Sequence, residues 1–435
     1  MKSYITILVA VLFVSCFGLS EGADCPSMDF TGDCRVDFAD FALFAEQWLD
    51  EGSYTLYVNS SGASGVSISS STGHDGITNY TQTLTVGTSV TLTAPATVSD
   101  TPFIGWTGDV NSSNQTISFS MNGDKTVTAK YAGDMVLISG GSFQMGDSFD
   151  EGDSDEHPVH TVTLDSFCMG KYEVTNGQYC QYLNSALGQG LITVTSGVVY
   201  QAGSGTSYPY CDTNTLSSYS QISYSGGVFS VRTKGGRNMS NDPMVQVSWY
   251  GSVAYCNWRS QQEVKEQCYN LSTWECDFNK PGYRLATEAE WEYAARGGLI
   301  DKRFPWGDTI THSQANYYSS FISYDISPTR FYHPTWNDGI FPYTSPVGSF
   351  SANDNGVYDM AGNVLEWCND WYLGTYYSSS PPDNPTGPIS GSKRVLRDGS
   401  WDFVAYFCRV ASRYGDYYPY DRLDHIGFRV VLDFQ

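Results

Sequence analysis

Apolar and polar residues follow three different patterns along this chain of 435 residues. A continuous apolar run fills Ile5–Phe17, short alternating stretches dominate Tyr54–Ala132, and an irregular mixture begins at Asp134. Alternation over about 4 to 8 residues, bounded by Gly, Asn and Asp, predicts half-buried strands. Residues 53–132 are therefore expected to form a small all-β domain, which a second, loop-rich domain follows at 134–435.

Helix signals in residues 134–435 are few and clear. In a capping box, a threonine and a glutamine or glutamate three residues later bind each other's backbone N–H. Two such pairs and one serine cap predict the helix starts, which are Thr175 with Gln178, Thr287 with Glu290, and Ser248. Two hairpins are expected at Thr193–Tyr200 and Ile222–Val231, around Ser-Gly and Gly-Gly turns. Short strands, few helices and much loop indicate a mixed domain.

The N-terminus has the residue order of a secretory signal peptide. Lys2 precedes the apolar run, and small residues follow it. The run is shorter than the roughly 20 residues that a membrane-spanning helix needs. We therefore expect residues 1–23 to be a signal peptide, and the mature chain to be secreted or held at the cell surface by bacterial-type export, without a membrane span. Cys16 leaves lipoprotein anchoring as the less favoured alternative.

Charge and cysteine usage narrow the classes of function. The formal net charge of −23 argues against nucleic acid as a partner, because its phosphates would be repelled. The excess carboxylates suit Ca²⁺, a hard cation that prefers oxygen ligands. All of the 11 cysteines except Cys16 follow the predicted signal peptide, and export places them where disulfides persist.

Residues 24–50 carry the pattern of a calcium-binding loop. Oxygen-bearing side chains occupy its first, third, fifth, ninth and twelfth positions, which are Asp29, Thr31, Asp33, Asp37 and Asp40. An amphipathic helical pattern continues to Leu49. This EF-hand-like segment resembles one half of a dockerin module, which implies a cohesin-like partner. Cys34 stands where the loop usually needs Gly, so a disulfide between Cys25 and Cys34 is a further expectation.

Two sequences in the β-domain, FIGWTGD at 103–109 and MNGDKTVTAKYA at 121–132, are similar to the internalin-type B-repeat of bacterial surface proteins. The resemblance implies a spacer that holds neighbouring domains apart.

Six ordered motifs in residues 135–435 resemble the sulfatase-modifying-factor family, whose founding member is the formylglycine-generating enzyme. They are MVLISGGSFQMGD at Met135–Asp147, KYEVTNGQY at Lys171–Tyr179, PMVQVSWYGSVAYCNW at Pro243–Trp258, GYRLATEAEWEYAARGG at Gly282–Gly298, DMAGNVLEWCNDW at Asp359–Trp371, and DGSW, CRVASR and HIGFR within Asp398–Arg429. The family implies an irregular fold related to C-type lectin domains. The expected class is therefore α+β and loop-rich, with a small all-β spacer domain and an N-terminal EF-hand-like segment.

The family also implies an oxidase chemistry from which this chain departs. Formylglycine-generating enzymes hold copper(I) through two cysteines between a Gly-Ser-aromatic motif and an Arg-x-Ala-x-Arg motif, and copper(I) prefers such soft ligands. Here these motifs are Gly399–Trp401 and Arg409–Arg413, and Cys408 is the single cysteine between them. Leu365 and Asp398 further replace the Trp and Gly that are usual in the family. We therefore expect no catalytic residue and no bound copper.

Two functions follow as alternatives. The favoured one is an exported, calcium-stabilised binding or accessory module. The other is a formylglycine-generating-type oxidoreductase that acts on a cysteine of a sulfatase or another protein.

The resemblance implies two structural calcium sites. The first would use the side chains of Asn316 and Asp338 and the carbonyls of Tyr317 and Ile340. The ligands implied for the second are Asp359, the carbonyls of Gly362 and Val364, and Glu366. Each side-chain position keeps an oxygen donor, as Ca²⁺ requires.

A substrate groove is implied for the segment that follows Gly399. Its residues would be Ser400, Trp401, Tyr406, Arg409, Arg413, Tyr414 and His425. Aromatic faces beside hydrogen-bonding groups suit a carbohydrate or peptide ligand. The alternative is that these aromatic residues fill the core of a fold that has little regular structure.

Three disulfides are expected in the C-terminal domain of an exported protein. Cys368 and Cys408 belong to motifs that the family fold brings together, Cys268 and Cys276 are close in sequence, and Cys180 and Cys211 remain by elimination. Spacing does not determine the connectivity.

Overall fold

The computed structural model of the protein describes residues 36–49, 52–99 and 101–433. Helix α1 spans Phe38–Leu49, and two of the predicted calcium ligands cap its first turn. The Asp37 carboxylate accepts the N–H of Ala39 at 2.7 Å, and the Asp40 carboxylate accepts the N–H of Asp37 at 2.8 Å. The predicted signal peptide lies outside the described residues, as do five further predicted residues, Cys25, Asp29, Thr31, Asp33 and Cys34.

Residues 53–131 form a series of strands, as the alternating pattern predicts. These are β1 (Ser53–Ser61), β2 (Ser67–Ile68), β3 (Gly76–Ile77), β4 (Tyr80–Thr85), β5 (Ser89–Thr93), β6 (Thr97–Val98), β7 (Thr101–Gly108), β8 (Thr116–Ser120) and β9 (Lys125–Tyr131). The main sheet has the order β4-β1-β9-β7-β6, while β5 pairs with β8 and β2 with β3. Leu56, Val58, Val127 and Ala129 point into an apolar core that also contains Trp106.

The C-terminal domain consists of short strands, three α-helices and long irregular segments. Its strands are β10 (Met135–Ile138), β11 (Gly141–Met145), β12 (His160–Leu164), β13 (Phe167–Gly170), β14 (Ile192–Thr195), β15 (Val198–Gln201), β16 (Pro209–Asp212), β17 (Ile222–Ser225), β18 (Val228–Val231), β19 (Thr233–Lys234), β20 (Arg237–Asn238), β21 (Tyr269–Asn270), β22 (Glu275–Cys276), β23 (Tyr283–Leu285), β24 (Leu365–Trp371), β25 (Arg394–Arg397), β26 (Ile426–Gly427) and β27 (Val430–Asp433). Its α-helices are α2 (Asn176–Gly188), α3 (Trp249–Gln262) and α4 (Glu288–Arg296), and 3-10 turns lie at Ser154–Glu156, Met239–Asn241 and Tyr376–Ser378. The described chain is mostly β with few helices, so the predicted α+β class is not confirmed.

The predicted helix starts and hairpins are confirmed. Thr175 and Thr287 cap α2 and α4 through complete capping boxes, with Gln178 and Glu290 as their partners. Ser248 caps α3 with its side-chain oxygen. Strands β14 and β15, and strands β17 and β18, pair antiparallel where the two hairpins are expected. None of the helices in the described residues has the length and hydrophobicity that crossing a bilayer requires.

Two small sheets hold the family-like motifs in place. The sheet β10-β13-β27-β23 joins the beginning and the end of the domain, and the sheet β25-β24-β26 carries the motif at Asp359–Trp371. Every residue of β24 except Trp371 is buried. A strand that is covered on both faces has no solvent-exposed side. The sequence LEWCNDW therefore lacks the alternation of apolar and polar residues by which half-buried strands are predicted.

The β-domain packs directly on the C-terminal domain. Ile104 of β7 is 4% exposed and belongs, with Ala132, to the core cluster that also contains α2 and α3 residues. Arg259 of α3 pairs at 2.8 Å with Asp134, which lies in the short connection between β9 and β10. The expected spacer is thus in contact with the domain that follows it.

Candidate functional site

The segment that would carry the copper pair begins at the end of β25. Asp398 has a φ of 72°, a left-handed conformation that Gly adopts easily and Asp tolerates. Its carboxylate accepts the N–H groups of Gly362 and Gly399 at 2.5 and 2.7 Å. A Cβ at Gly399 would lie 2.4 Å from the sulfur of Cys408, so the two residues touch across the turn. Asp398 therefore replaces the family's Gly without disturbing this turn.

Cys408 is enclosed by apolar side chains. It is 1% exposed and packs in a cluster with Phe304, Tyr317 and Ala405. Burial raises the pKa of its thiol well above the usual value, and the charge of Asp398 adds to that effect. A thiol that is kept neutral in this way is a poor nucleophile, because the thiolate is the reactive form. Cys408 behaves as a small core residue.

The expected disulfides are not formed among the described residues. Cys368 belongs to a different core cluster from Cys408, and both are free thiols. All of the other cysteines in the described residues are free as well, namely Cys168, Cys180, Cys211, Cys256, Cys268 and Cys276. The structure holds none of the predicted pairs Cys368–Cys408, Cys268–Cys276 and Cys180–Cys211 as a disulfide, and the pairing stays a prediction. Each of these sulfurs packs as a thiol against the apolar interior.

The two arginines of the predicted groove are buried in ion pairs instead. Arg409 binds both carboxylate oxygens of Glu156 at 2.8 and 2.7 Å. Arg413 binds both oxygens of Glu288 at 2.6 and 2.9 Å. Burial opposes ionisation of Glu288, but Arg413 and Arg397 outweigh it and hold the pKa of this carboxyl below its usual value. These arginines therefore anchor the segment to the turn at Ser154–Glu156 and to helix α4.

The other predicted groove residues also face inward or are partly covered. Ser400 is fully buried, and the indole of Trp401 is 2% exposed with its N–H donated to the carbonyl of Asp424 at 3.1 Å. Tyr414 stacks on Tyr417 at 5.7 Å, while the ring of His425 lies 5.3 Å from that of Phe403. Tyr406 lies against the guanidinium of Arg409. Ser400, Trp401, Arg409 and Arg413 are thus buried and line no open groove. Tyr406, Tyr414 and His425 are half-buried, and their place in a groove stays a prediction.

Tyr418 and Tyr420 are the residues of this segment that present aromatic surface to solvent. They are 40% and 48% exposed, and their rings are parallel within 2° with centroids 5.3 Å apart. The carbonyl of Pro419 between them accepts the N–H of Trp249, and Asp421 binds the backbone N–H of Tyr418 at 2.7 Å. The exposed pair is therefore held by a fixed turn.

The residues predicted for the second calcium site separate into two roles. Glu366 is engaged by Arg429 through both oxygens and accepts the indole N–H of Trp291 at 2.7 Å. One oxygen of Asp359 accepts the N–H of Gly348 at 2.6 Å, and its buried Oδ1 has no hydrogen-bond partner. Burial raises the pKa of Asp359 to about 6. Asp359 therefore has one carboxylate oxygen without a hydrogen bond, whereas both oxygens of Glu366 are engaged.

Sequence reasoning missed Glu173, which lies beside Asp359. Its buried Oε2 has no hydrogen-bond partner, while Oε1 accepts the side-chain N–H of Asn363 at 3.0 Å. Burial first, and then the charge of Asp359, raise the pKa of Glu173 well above its usual value. Glu173 is part of the KYEVTNGQY motif, so its position in that motif was the available signal. Two buried carboxylates with unused oxygens thus meet here.

The residues predicted for the first calcium site differ in burial. Asn316 is buried and donates to the carbonyl of Tyr343 at 2.9 Å, while its Oδ1 has no hydrogen-bond partner. The carbonyl of Tyr317 lies 3.2 Å from Nε2 of His312. Asp338 is exposed and accepts the N–H of Ile340 at 2.9 Å. Within residues 36–49, 52–99 and 101–433, no group of three or more His, Cys, Asp or Glu side chains is arranged to hold one metal ion.

Comparison with known families agrees with this geometry. The model of the sulfatase-modifying factor enzyme 1-like domain matches residues 122–434, and that of the divergent InlB B-repeat domain matches residues 66–134. Since the first match covers most of the chain, the protein belongs to the sulfatase-modifying factor enzyme 1-like family, and it also contains a B-repeat domain.

Formylglycine-generating enzymes of two bacteria support the assignment to this family. The formylglycine-generating enzyme of Streptomyces coelicolor is 34% identical over 310 residues, which cover 68% of this chain and 88% of that protein. That of Thermomonospora curvata is 32% identical over 333 residues, or 73% of this chain and 99% of that protein. Among solved structures, PvdO from Pseudomonas aeruginosa is 28% identical with a TM-score of 0.46, covering 69% of this chain and 94% of that chain.

Proposed function

We propose that this protein is an exported binding or accessory module of its family, stabilised by calcium, which does not oxidise cysteine with copper. One observation carries the proposal. Between Gly399–Trp401 and Arg409–Arg413 the chain has a single cysteine, and its thiol is buried in an apolar cluster. A copper(I) site of the family's kind needs two thiolates and access for a substrate thiol. The segment supplies no second cysteine, and a substrate thiol cannot reach the buried sulfur of Cys408.

The test is an oxidation assay on purified residues 24–435. The protein would be supplied with copper(I), oxygen and a sulfatase-type cysteine peptide, and formylglycine would be measured by mass spectrometry. The formylglycine-generating enzyme of Streptomyces coelicolor serves as the positive control, and the variant Cys408→Ser as the matched one. We expect no product from the wild type or the variant. Multiple turnovers by the wild type would overturn the proposal.

The second candidate function is a formylglycine-generating-type oxidoreductase that acts on a cysteine of a sulfatase or another protein. The identity of 34% to a relative with that name, over 68% of this chain, supports it. It would require a sulfur site other than the family's pair, since the described cysteines are buried or partly buried free thiols. The same assay separates the two functions.

Calcium in the C-terminal domain is supported by unused buried oxygens. Asp359 and Glu173 each have one carboxylate oxygen without a hydrogen bond. The amide oxygen of Asn316 also has no hydrogen bond. Burying a charged oxygen without a partner is costly, and a hard divalent cation would offset that cost. Asp359 and Glu173 would hold the ion together with backbone carbonyls such as those of Gly362 and Val364. The ion would contribute stability to the fold.

The N-terminal segment is proposed as a second calcium module. Asp29, Thr31 and Asp33 would bind the ion with Asp37 and Asp40, and a cohesin-like protein would be the partner. The loop pattern in the sequence supports this proposal. Binding of a cohesin domain to residues 24–435, measured with calcium and with chelator, tests it. Binding that chelator does not affect, or no binding at all, would refute it.

The ligand surface proposed for the module is the exposed pair Tyr418 and Tyr420. A fixed turn presents both rings, so little conformational entropy is lost when a carbohydrate or peptide packs on them. Screening carbohydrate and peptide arrays with the wild type, the double variant Tyr418→Ala/Tyr420→Ala and the control Tyr219→Ala tests this surface. We expect the double variant alone to lose binding. Equal binding by all three proteins would refute the assignment.

A further inference from the structure

A cleft separates the β-domain from part of the C-terminal domain on one side of their contact. It encloses about 540 Å³, within the range of small-molecule sites. Phe103, Asn114 and Gln115 line the β-domain wall, while Lys265, Pro281 and Asp433 line the opposite wall. None of the residues that line the cleft belongs to the proposed calcium sites or to the aromatic pair.

The two walls are held in a fixed relation by the contact beside the cleft. Ile104, next to Phe103, is buried in the core cluster of the C-terminal domain. The side chain of Lys171 donates to the carbonyl of Gly133 at 3.1 Å, and Arg259 pairs with Asp134 at 2.8 Å. A ligand that bridges the walls would therefore meet a largely preformed site, which lowers the entropic cost of binding.

Lys265 is the most informative residue of the cleft. Its ammonium makes no hydrogen bond or ion pair with the described part of the chain, although burial lowers its pKa. A partly desolvated cation without an acceptor gains from any ligand oxygen that reaches it. Asp433 on the same wall uses one oxygen for Arg284 and leaves the other available as an acceptor.

The remaining lining combines amides with apolar surface. The side-chain amides of Asn114 and Gln115 have no partner among the described residues, and each both donates and accepts hydrogen bonds. Phe103 and Pro281 supply apolar surface, and the Phe103 ring is fixed edge-on against Trp106 and Tyr131. The lining thus includes one ammonium, one carboxylate, two side-chain amides and an apolar surface on each wall.

We propose that this cleft binds a short neutral oligosaccharide. A sugar hydroxyl can accept from Lys265 and donate to Asp433, and the C–H face of a sugar ring suits the apolar surface of Phe103 or Pro281. An anionic ligand would meet a single cation on a chain of net charge −23. An apolar ligand would leave the ammonium and both amides without partners, at a cost for each. The proposal does not depend on calcium, on copper or on the Tyr418–Tyr420 surface.

Isothermal titration of residues 24–435 with defined hexasaccharides tests the proposal. Cellohexaose, maltohexaose and chitohexaose are the neutral probes, and a heparin hexasaccharide and a neutral hexapeptide are the comparison probes. We expect saturable binding of at least one neutral hexasaccharide and none of the heparin fragment or the peptide. Binding confined to the heparin fragment or the peptide, or no binding at all, overturns the proposal.

Variants locate the site. Lys265→Ala, its conservative counterpart Lys265→Gln, and Asn114→Ala should each weaken binding of the neutral hexasaccharide about tenfold or more. Asn111→Ala, exposed in the same domain outside the cleft, should bind like the wild type. The double variant Tyr418→Ala/Tyr420→Ala is titrated in parallel to separate this cleft from the aromatic pair. Loss in the tyrosine variant without loss in the Lys265 and Asn114 variants would place the sugar on the aromatic pair and overturn the cleft assignment. Thermal melting of each variant confirms that it is folded.

Discussion

Two neighbouring carboxyl groups of this protein, those of Asp359 and Glu173, have raised pKa values. The pKa of Asp359 rises to about 6 because the group is buried, and the neighbouring Glu173 shifts in the same direction. Groups whose pKa is higher in the folded than in the unfolded state stabilise the fold at low pH, and that contribution disappears as the pH rises through the folded pKa. A calcium ion would replace the proton at higher pH.

The first prediction follows from this competition. Calcium should raise the melting temperature of residues 135–435 more at pH 7 than at pH 5, because protons occupy the site at the lower pH. Asp359→Ala should remove most of the rise, and the exposed control Asp354→Asn should keep it. Scanning calorimetry with calcium and with chelator measures the effect. If chelator leaves the melting temperature of the wild type unchanged at pH 7, the calcium proposal fails.

The second prediction concerns the buried ion pairs. Arg413→Ala leaves Glu288 buried beside Arg397 alone, so we expect a loss of about 3 kcal/mol in the free energy of unfolding. The control Arg422→Ala breaks a more exposed pair with Asp212 and should cost less than about 1 kcal/mol. Urea titration compares the two variants. Equal losses would mean that the Arg413–Glu288 pair does not anchor its segment.

Helix α4 shows how a single element organises the core of the C-terminal domain. Its capping box at Thr287 fixes the start, and Gly297 ends it in a left-handed conformation. Glu288 and Glu292 lie one turn apart and both bind Arg397, at 3.0 and 2.7 Å. The start of the helix thus sets the positions of the buried carboxylates of Glu288 and Glu292. These carboxylates in turn hold Arg397 of β25.

The third prediction tests this start. Thr287→Ala removes the oxygen that accepts the N–H of Glu290, and should lower the free energy of unfolding by about 1 kcal/mol. Thr287→Ser keeps the oxygen and should lose clearly less. Urea titration again gives the difference. A Ser variant as unstable as the Ala variant would show that the methyl group, rather than the cap, accounts for the loss.

The contact between the two domains is the main feature of the whole molecule. Ile104 carries apolar surface from β7 into the core of the C-terminal domain, and the cleft lies beside this contact. The B-repeat domain therefore contributes to the surface and the stability of the domain that follows it.

The fourth prediction concerns this contact. Ile104→Ala should cost about 2–5 kcal/mol and should separate the calorimetric transition into two, because each domain keeps its own remaining core. Ile77→Ala, at an exposed position of the same domain, should leave the transition unchanged. A single unshifted transition for Ile104→Ala would mean that the domains do not stabilise each other.

Local patterns in the sequence were sufficient to predict several elements of this protein. Alternation predicts the β-domain, the capping pairs at Thr175 and Thr287 predict helix starts, and the Ser-Gly and Gly-Gly turns predict two hairpins, all of which are confirmed. Each of these signals depends on residues a few positions apart, whose interaction is present in any context. The ordered motifs also indicated the family, which the comparisons confirm.

Only the tertiary structure shows which contacts the residues of those motifs make. The partner of Arg409 is Glu156, 253 positions away, and Asp359 lies beside Glu173, which belongs to another motif of the chain. Sequence reasoning therefore placed Arg409 and Trp401 in an open groove, paired Cys368 with Cys408, and missed Glu173. Whether a polar or aromatic residue faces solvent or a buried partner depends on the packing of segments that are far apart in the chain, and a fold with few regular elements leaves that choice to tertiary contacts.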